Sequence, residues 1–362
     1  PEIIKLASFI KILKKKKENF FLINTNQHYT KIMSKVFFNY FNIPKPKYNI
    51  KANTNSYISF FSKSLKEIGN ILDKEKPNYL IIQGDTNTAL AGCLAGSIYN
   101  RHNFNNKKIK IVHVESGLRS FDEKMPEEIN RKIIDTLSDI LFVPTNTDIN
   151  NLKNENLFEK KKILKSGNTI TDVVKTNLNL LKKNSILGKL KLKKRDYFLV
   201  TLHRPESVDN SINFKKIIFT LNKISNLYKK KIIFPVHPRT EKILRKFKNK
   251  LDKNIIITKP LEYIDFLFLM KNCRIVLTDS GGIQEESSIL GIPCITTRTS
   301  TERQITVKSK VNIMTGYNQK KIINAVRKFY NIKIRKLNLF GDGRVAEKIY
   351  KFLKKKSFTN IN

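Results

Sequence analysis

The stretch Leu277-Thr278-Asp279-Ser280-Gly281-Gly282-Ile283-Gln284-Glu285-Glu286 decides how its part of the chain folds. The mostly apolar residues 274–277 predict a short buried strand, and the small residues at 280–282 predict a tight turn. The residues that follow, 282–290, predict a helix whose apolar side is formed by Ile283, Ile289 and Leu290. A strand, a small-residue turn and the start of a helix therefore follow one another here.

Such a helix start suits a phosphate group. Its first backbone amides have no partner within the helix, and the aligned peptide dipoles place partial positive charge there. Gly281 and Gly282 would let a phosphate approach, and Glu286, one turn further on, can accept hydrogen bonds from sugar hydroxyls. We therefore expect a nucleotide diphosphate. The plainer interpretation, a helix capped by Asp279 or Ser280 with acidic residues in its first turn, is almost equally compatible with this stretch alone.

Length and alternation of elements predict the domain organisation. A chain of 362 residues is too long for one ordinary core. Strands alternate with helices, which predicts α/β domains with mostly parallel sheets wound on both faces, and two such domains facing each other would form a ligand cleft. We predict an N-terminal domain at 1–176, a linker at 177–195, a second domain at 196–340 and a terminal helix at 341–362.

The charge of the chain raises the question of a polyanionic partner. Its formal net charge is +40, from 70 Lys and Arg against 30 Asp and Glu. The lysines lie in short runs scattered over surface-like segments, which indicates a compositional bias of the source. No zinc-finger spacing or ribonucleoprotein-type aromatic motif accompanies them, so we expect no nucleic-acid partner.

Other sequence features limit where the protein can be located and which chemistry it can perform. Cys93, Cys273 and Cys294 lie in apolar stretches without paired spacing, as reduced core residues of a cytoplasmic protein do. We find no apolar run of about 18 residues and no signal peptide, and expect no membrane association. No metal-ligand spacing or Gly-x-Ser-x-Gly motif is present. The start at Pro1, already within a helical pattern, suggests a missing first strand.

Three carboxylates follow predicted strands or begin a helix in the first domain. Glu115 comes directly after an apolar strand, where desolvation would raise its pKa toward the range useful for proton transfer. Asp85 lies at a strand-to-helix junction and can equally be a helix cap. Glu127 lies in the first turn of a helix at 126–137 and can equally pair with Arg131. Together they make a plausible acid/base set. The inward side of that helix is predicted to be Ile129, Ile133 and Ile134.

Basic side chains follow equivalent strand ends in the second domain. His203-Arg204 comes after one strand and His237-Pro238-Arg239 after the next, and Arg303 lies in Thr301-Glu302-Arg303. Each histidine alone can be a structural residue. Two such pairs at equivalent positions indicate contacts with an anion.

The assembled motifs resemble those of the non-hydrolysing UDP-N-acetylglucosamine 2-epimerases, in the same order and over nearly the whole chain. They are Gly84-Asp85-Thr86, His113-Val114-Glu115-Ser116-Gly117-Leu118-Arg119, Pro126-Glu127-Glu128-Ile129-Asn130-Arg131, Gly167-Asn168-Thr169, His203-Arg204-Pro205-Glu206, the stretch from Asp279 to Glu286, and Thr301-Glu302-Arg303.

This resemblance implies a glycosyltransferase-B fold, a homodimer, a last helix that crosses back to the first domain, and no metal or redox cofactor. The implied reaction eliminates UDP with loss of the C2 proton and adds UDP back while the proton returns on the other face. It implies catalytic roles for Lys5, Asp85, Glu115, Glu127 and His203. The residues implied to bind the UDP-sugar are Arg119, His237, Ser280, Gly281, Gly282, Glu286 and Arg303.

The chain also departs from the family pattern. The family's Gly-Thr-Arg before Pro1 is absent, which predicts weak activity for the sequence as written, although Lys5 is present. Asn26, Ser207 and Gln304-Ile305 replace usual family residues. Thr30 and Pro205 replace polar residues that bind an activating second substrate in some bacterial members.

These changes leave the identity of the sugar open between UDP-N-acetylglucosamine and a 6-deoxy or uronic acid relative. A hydrolysing epimerase, a glycosyltransferase, a catalytically inactive UDP-sugar sensor and a basic nucleic-acid-binding protein are the competing hypotheses.

Overall fold

The computed structural model describes residues 2–27, 38, 40–52, 56–103, 108–178, 185–332, 334 and 336–358. It divides into two compact units. Unit 1 is Pro1–Val173 with Phe340–Asn362, and unit 2 is Val174–Leu339. Over the described residues, no helix is both long and apolar enough to cross a membrane.

Unit 1 is built around a four-stranded parallel sheet in the order β3-β4-β5-β6. A separate pair, β1 and β2, is also parallel. The strands are β1 (Ile23–Asn24), β2 (Tyr48–Asn49), β3 (Tyr79–Gln83), β4 (Lys110–Val114), β5 (Ile140–Val143) and β6 (Lys162–Lys165). The helices are α1 (Glu2–Lys15), α2 (Tyr57–Glu75), α3 (Asn87–His102), α4 (Pro126–Leu137), α5 (Asn146–Asn154) and α6 (Ile170–Asn177), whose last residues belong to unit 2.

The last helix completes the core of unit 1. Helix α15 (Val345–Phe358) packs against α1 and the sheet, and its Ile349 is fully buried. Asp172 caps this helix, since its carboxylate accepts hydrogen bonds from the amides of Val345 at 3.0 Å and Ala346 at 2.7 Å. Chain segments far apart in sequence thereby share one core.

Unit 2 contains a six-stranded parallel sheet in the order β12-β11-β10-β7-β8-β9. Its strands are β7 (Tyr197–Thr201), β8 (Lys231–Pro235), β9 (Ile255–Thr258), β10 (Ile275–Thr278), β11 (Cys294–Thr296) and β12 (Asn312–Met314). Its helices are α7 (Ile186–Lys189), α8 (Pro205–Val208), α9 (Ser211–Tyr228), α10 (Pro238–Leu244), followed by a 3₁₀ helix (Arg245–Lys250), α11 (Tyr263–Asn272), α12 (Gly281–Leu290), α13 (Gln304–Lys308) and α14 (Gln319–Tyr330).

This strand order is that of a dinucleotide-binding fold. The chain starts at β7, runs outward through β8 and β9, and then returns to the other side of β7 as β10. The carboxyl ends of β7 and β10 are therefore the point at which the strand order reverses, where such sheets bind their ligands. The side chains of β7 and β10 are almost all buried, as expected for central strands covered on both faces.

Three local predictions need correction or lie outside the described chain. The apolar residues at 20–24 predict a strand, but the structure reduces it to Ile23–Asn24, which pairs with β2, a pairing that the sequence did not predict. Ile129, predicted to face inward, is 52% exposed, whereas Glu128, Arg131 and Asp135 are buried beside Ile134. The sequence also predicts a helix at 30–40, but Thr30 and almost all of that range lie outside the described residues.

Candidate active site

The carboxyl ends of β3 and β4 carry two of the predicted carboxylates. Gly84 follows β3 with φ +69°, and its amide donates to the carbonyl of Val114 at 3.0 Å. This hydrogen bond links the turn before Asp85 to the end of β4, one residue before Glu115. Because neighbouring parallel strands end at the same edge of a sheet, Asp85 and Glu115 lie side by side at that edge.

Glu115 is buried, as predicted, with 4% of its surface exposed. Its carboxylate accepts from the Lys5 ammonium at 2.6 and 2.5 Å and from the Gln83 amide at 2.6 Å. These are the partners of an ionised carboxylate. Its backbone has φ +72°, a strained conformation for a residue with a side chain, held by the Glu115 and Ser116 amides that both donate to the Phe142 carbonyl.

Helix α4 positions Asp85 through two side chains. Asn130 donates to the Asp85 carbonyl at 2.9 Å, and Arg131 donates to the Asp85 carboxylate at 2.5 Å. Arg131 also binds Glu128 at 2.5 Å. Arg131 thus pairs with both Asp85 and Glu128. The N-cap of the following helix α3 is Thr86 and not Asp85. Glu127 lies half-buried in the first turn of α4.

Arg119 is a buried side chain of unit 1 that pairs with two carboxylates. Its side chain is fully buried and forms ion pairs with Asp135 at 2.8 Å and Glu155 at 2.6 Å. Burial acts to lower the pKa of the guanidinium, but these carboxylates outweigh it and raise the pKa above its ordinary value. The structure thus shows Arg119 holding two carboxylates of unit 1, and its expected contact with the substrate stays a prediction.

In unit 2, Asp279 connects the two strand ends at the reversal point. It is fully buried and accepts from the amides of His203 at 3.0 Å and Arg204 at 2.9 Å. It also faces His203 Nδ1 at 3.0 Å. Burial acts to raise the pKa of this carboxyl, but His203 and the two amides outweigh it and hold the pKa below its usual range.

This contact sets the state of His203. Because Nδ1 faces a carboxylate, that nitrogen carries a proton, and in the neutral ring Nε2 is then an acceptor. The His203 side chain is 40% exposed. The ring of His237 lies 5.8 Å from it, centroid to centroid, and His237 Nδ1 accepts from the Arg239 amide at 3.1 Å. The two predicted histidines therefore lie side by side.

Helix α12 begins at Gly281, one residue earlier than predicted. Ser280 is its N-cap residue, but the described structure contains no side-chain cap hydrogen bond there, and Asp279 is engaged with β7. The capped-helix interpretation is therefore wrong for this stretch. Gly281 is packed tightly, because a Cβ built on it would lie 2.4 Å from Glu302 Oε1.

Buried charged side chains pack against the first turns of α12. Arg303 binds Glu285 at 2.8 Å and Glu302 at 3.0 Å, and Arg298 binds Glu302 at 3.0 Å. Glu286, which is 6% exposed, accepts from the hydroxyl of Tyr263 at 2.9 Å. Arg303 is thus held by carboxylates of its own unit, and Glu286 is oriented by a neighbouring helix.

Several residues that build this site were missed from the sequence. Gln83, Glu128, Asp135 and Asp279 were not assigned these roles, although the last lies within the opening stretch. Their signal was present as polar residues at inward positions of elements, such as Glu128, Arg131 and Asp135 at helical spacing on α4. Reading only apolar residues as inward-facing concealed it.

The model of the family described as UDP-N-acetylglucosamine 2-epimerase matches residues 11–354 of the chain. The chain belongs to this family. The UDP-N-acetylglucosamine 2-epimerase of Methanocaldococcus jannaschii is 45% identical over 360 residues, covering 98% of this chain and 96% of the relative. The UDP-2,3-diacetamido-2,3-dideoxy-D-glucuronate 2-epimerase of Pseudomonas aeruginosa is 34% identical, covering 98% and 97%.

A solved structure of this family is also similar. The crystal structure of the Methanocaldococcus jannaschii enzyme in complex with UDP-GlcNAc and UDP matches with a TM-score of 0.89 and 45% identity, covering 98% of this chain and 97% of that chain. The family predicted from the motifs is confirmed. The α/β class, with parallel sheets in both units and the glycosyltransferase-B fold, is confirmed as well.

Proposed function

We propose that the chain epimerises C2 of UDP-N-acetylglucosamine, or of a close UDP-2-acetamido sugar, without hydrolysis, and that its product feeds surface polysaccharide synthesis. The observation that carries the proposal is the set of acid/base groups of unit 1 in a chain of this family. Asp85 and Glu115 follow adjacent strands, Lys5 binds Glu115, and Glu127 begins the helix that holds Asp85. Carbon acids need such a base in a shielded position.

The proposed reaction balances with these groups alone. One carboxylate takes the C2 proton, the bond between C1 and the phosphate oxygen breaks, and UDP leaves with the electron pair to give a glycal. UDP then adds back to C1 while a carboxylic acid returns a proton to the other face of C2. Lys5 keeps the Glu115 carboxylate charged and oriented between these steps. Which carboxylate acts on which face stays open.

Unit 2 is proposed to hold the UDP part. The amides of Gly281 and Gly282, with the hydroxyl of Ser280, would receive the diphosphate, in keeping with an α12 start that lacks a side-chain cap. His203 would donate to the diphosphate when protonated, with His237 beside it. Glu286, oriented by Tyr263, would accept from the ribose hydroxyls. Arg303 would act near the nucleotide while it is held by Glu285 and Glu302.

The remaining proposals concern the sugar and the setting. The relative from Pseudomonas aeruginosa, named for a diacetamido uronic acid, favours that sugar as the second candidate substrate. We also propose a homodimer, as the family resemblance implies. A cytoplasmic location is in keeping with the three buried free thiols Cys93, Cys273 and Cys294.

Proton NMR of the protein in deuterated water tests the reaction. With UDP-N-acetylglucosamine or with the diacetamido uronic acid nucleotide, we expect deuterium at C2, the C2 epimer, and little free UDP. The Asp85→Asn, Glu115→Gln and Glu127→Gln variants should each lose about 100-fold or more in turnover. UDP released in proportion to turnover would instead identify a hydrolysing enzyme. UDP binding without C2 exchange on either sugar would contradict the proposed chemistry.

A further inference from the structure

A fully buried carboxylate of α4 connects the two turns that carry Asp85 and Glu115. Asp135 Oδ1 lies 2.7 Å from His113 Nδ1, and Asp135 Oδ2 accepts from the Gly117 amide at 3.0 Å. Arg119 Nη1 lies 2.8 Å from the same Oδ2. His113, Arg119 and Asp135 have side chains with no exposed surface. Nothing in the proposed chemistry uses this cluster directly.

The other nitrogen of His113 faces a carbonyl. Nε2 lies 3.0 Å from the carbonyl oxygen of Gly84, the residue before Asp85. A carbonyl oxygen only accepts hydrogen bonds, so Nε2 must carry a proton. The ring is thus placed between an acceptor on one side and Asp135 on the other.

The state of Asp135 decides the state of the ring. Burial acts to raise the pKa of Asp135, but the facing His113 and Arg119 outweigh burial and hold that pKa below its usual range. Asp135 is therefore a carboxylate, an acceptor at both oxygens, and Nδ1 must donate as well. Two cations, His113 and Arg119, then alternate with two anions, Asp135 and Glu155, so that the buried charges compensate one another.

The cluster holds backbone that would not keep its shape unaided. Gly84, Glu115 and Gly117 have φ of +69°, +72° and +78°. A Cβ at Gly117 would lie 2.7 Å from the carbonyl oxygen of Asp148, so this turn is also closely packed. His113 fixes the carbonyl before Asp85, and Asp135 fixes the amide two residues after Glu115. Glycine adopts such φ values without strain, but Glu115 does not, and its strained backbone persists only where surrounding contacts determine it.

We propose that His113 is a positioning residue that donates from both ring nitrogens and, with Asp135, holds the turns of Asp85 and Glu115 in their catalytic arrangement. The effect on catalysis rests on the proposed function, whereas the protonation state does not.

Selective ¹⁵N labelling of histidine tests the protonation state in the intact protein. The chain has five histidines, and the resonances of His113 are identified by their loss in the His113→Gln variant. Because each ring nitrogen of His113 faces an acceptor, we expect both to carry a proton and to give imidazolium shifts in the folded protein. A neutral ring at pH 7 would overturn the proposal, and this result does not depend on any enzymatic activity.

Kinetics test the positioning role. His113→Gln should lower kcat by about 100-fold, because a small displacement of catalytic groups has such an effect, while the dissociation constant for UDP stays within about 2-fold. His102→Gln is the matched control, since His102 is exposed near the end of α3 and should leave both values unchanged. Turnover of His113→Gln at the rate of the unaltered protein would refute the role. An inactive unaltered protein with an imidazolium at His113 would contradict the proposed function alone.

Discussion

At the scale of single residues, Asp279 shows how one buried carboxylate organises a ligand site. It lies at the end of β10 and accepts three hydrogen bonds from His203 and Arg204 after β7. Sequence reasoning placed Asp279 before the correct turn but considered it only as one of two possible helix caps. Only the strand order, which brings β7 beside β10, reveals its partners, and no local pattern encodes that order.

Asp279→Asn should weaken both stability and UDP binding. The amide cannot accept from two backbone amides and a ring nitrogen at once, so we expect a loss of about 1–3 kcal/mol in the free energy of unfolding at pH 7. Because the folded pKa of Asp279 is lowered, its contribution is complete above the unfolded pKa of about 3.9 and is lost as pH falls through the folded value.

Urea titrations of the unaltered protein and the Asp279→Asn variant between pH 7 and pH 3 measure this difference. The difference in the free energy of unfolding between the two proteins should be largest near pH 7 and should shrink as the pH falls below the unfolded pKa of about 3.9. Asp73→Asn, at an exposed position of α2, is the control and should show no gap. A gap that grows as the pH falls would contradict the assignment.

At the scale of elements, α4 shows where the pattern of apolar residues misleads. Ile129, Ile133 and Ile134 fit a helical repeat, but Glu128, Arg131 and Asp135 fit one equally well and form the buried side. The helix bounds were predictable from Pro126, which suits the first turn. The inward direction was not, because it depends on partners such as Asp85 and His113 that other elements supply.

Helix α12 offers a sharp test of packing at its start. Gly281→Ala would place a methyl group 2.4 Å from Glu302 Oε1, a side chain held by Arg298 and Arg303. We expect a loss of about 1–3 kcal/mol from this overpacking, with weaker UDP binding as the ion pairs shift. Gly282→Ala is the matched control, because a Cβ there meets no atom within 4 Å.

Chemical denaturation and UDP titration of both alanine variants give the comparison. Gly282→Ala should be neutral or slightly stabilising, since alanine restricts the unfolded chain more than glycine does. Equal effects of the two substitutions on the free energy of unfolding would show that Glu302 moves aside freely.

At the scale of the whole molecule, alternation of strands and helices was enough to predict two α/β units with parallel sheets. The short pair β1 and β2 was not predictable in the same way, because two-residue strands have too few positions to show a period. The packing of α15 within unit 1 likewise depends on contacts between distant segments.

Ile349→Ala tests that packing. The side chain is fully buried in the core that includes Val112 and Phe142, so its truncation should lower the stability of unit 1 by about 2–5 kcal/mol. Hydrogen exchange should show faster exchange for amides of β4 and unchanged exchange for those of β7. Lys351→Ala, at an exposed position of the same helix, should change neither. Equal acceleration in both strands would mean that the units unfold together.

The contribution of α15 to unit 1 also has a consequence for biosynthesis. Unit 2 lies within the sequence of unit 1, so a ribosome releases all of it before the helix that covers Val112, Val114 and Phe142. At about 5–20 residues per second, translating residues 174–362 takes roughly 10–40 s. During that interval the nascent first sheet keeps an uncovered apolar face. The yield of folded protein in cells should therefore depend on chaperones that bind the growing chain.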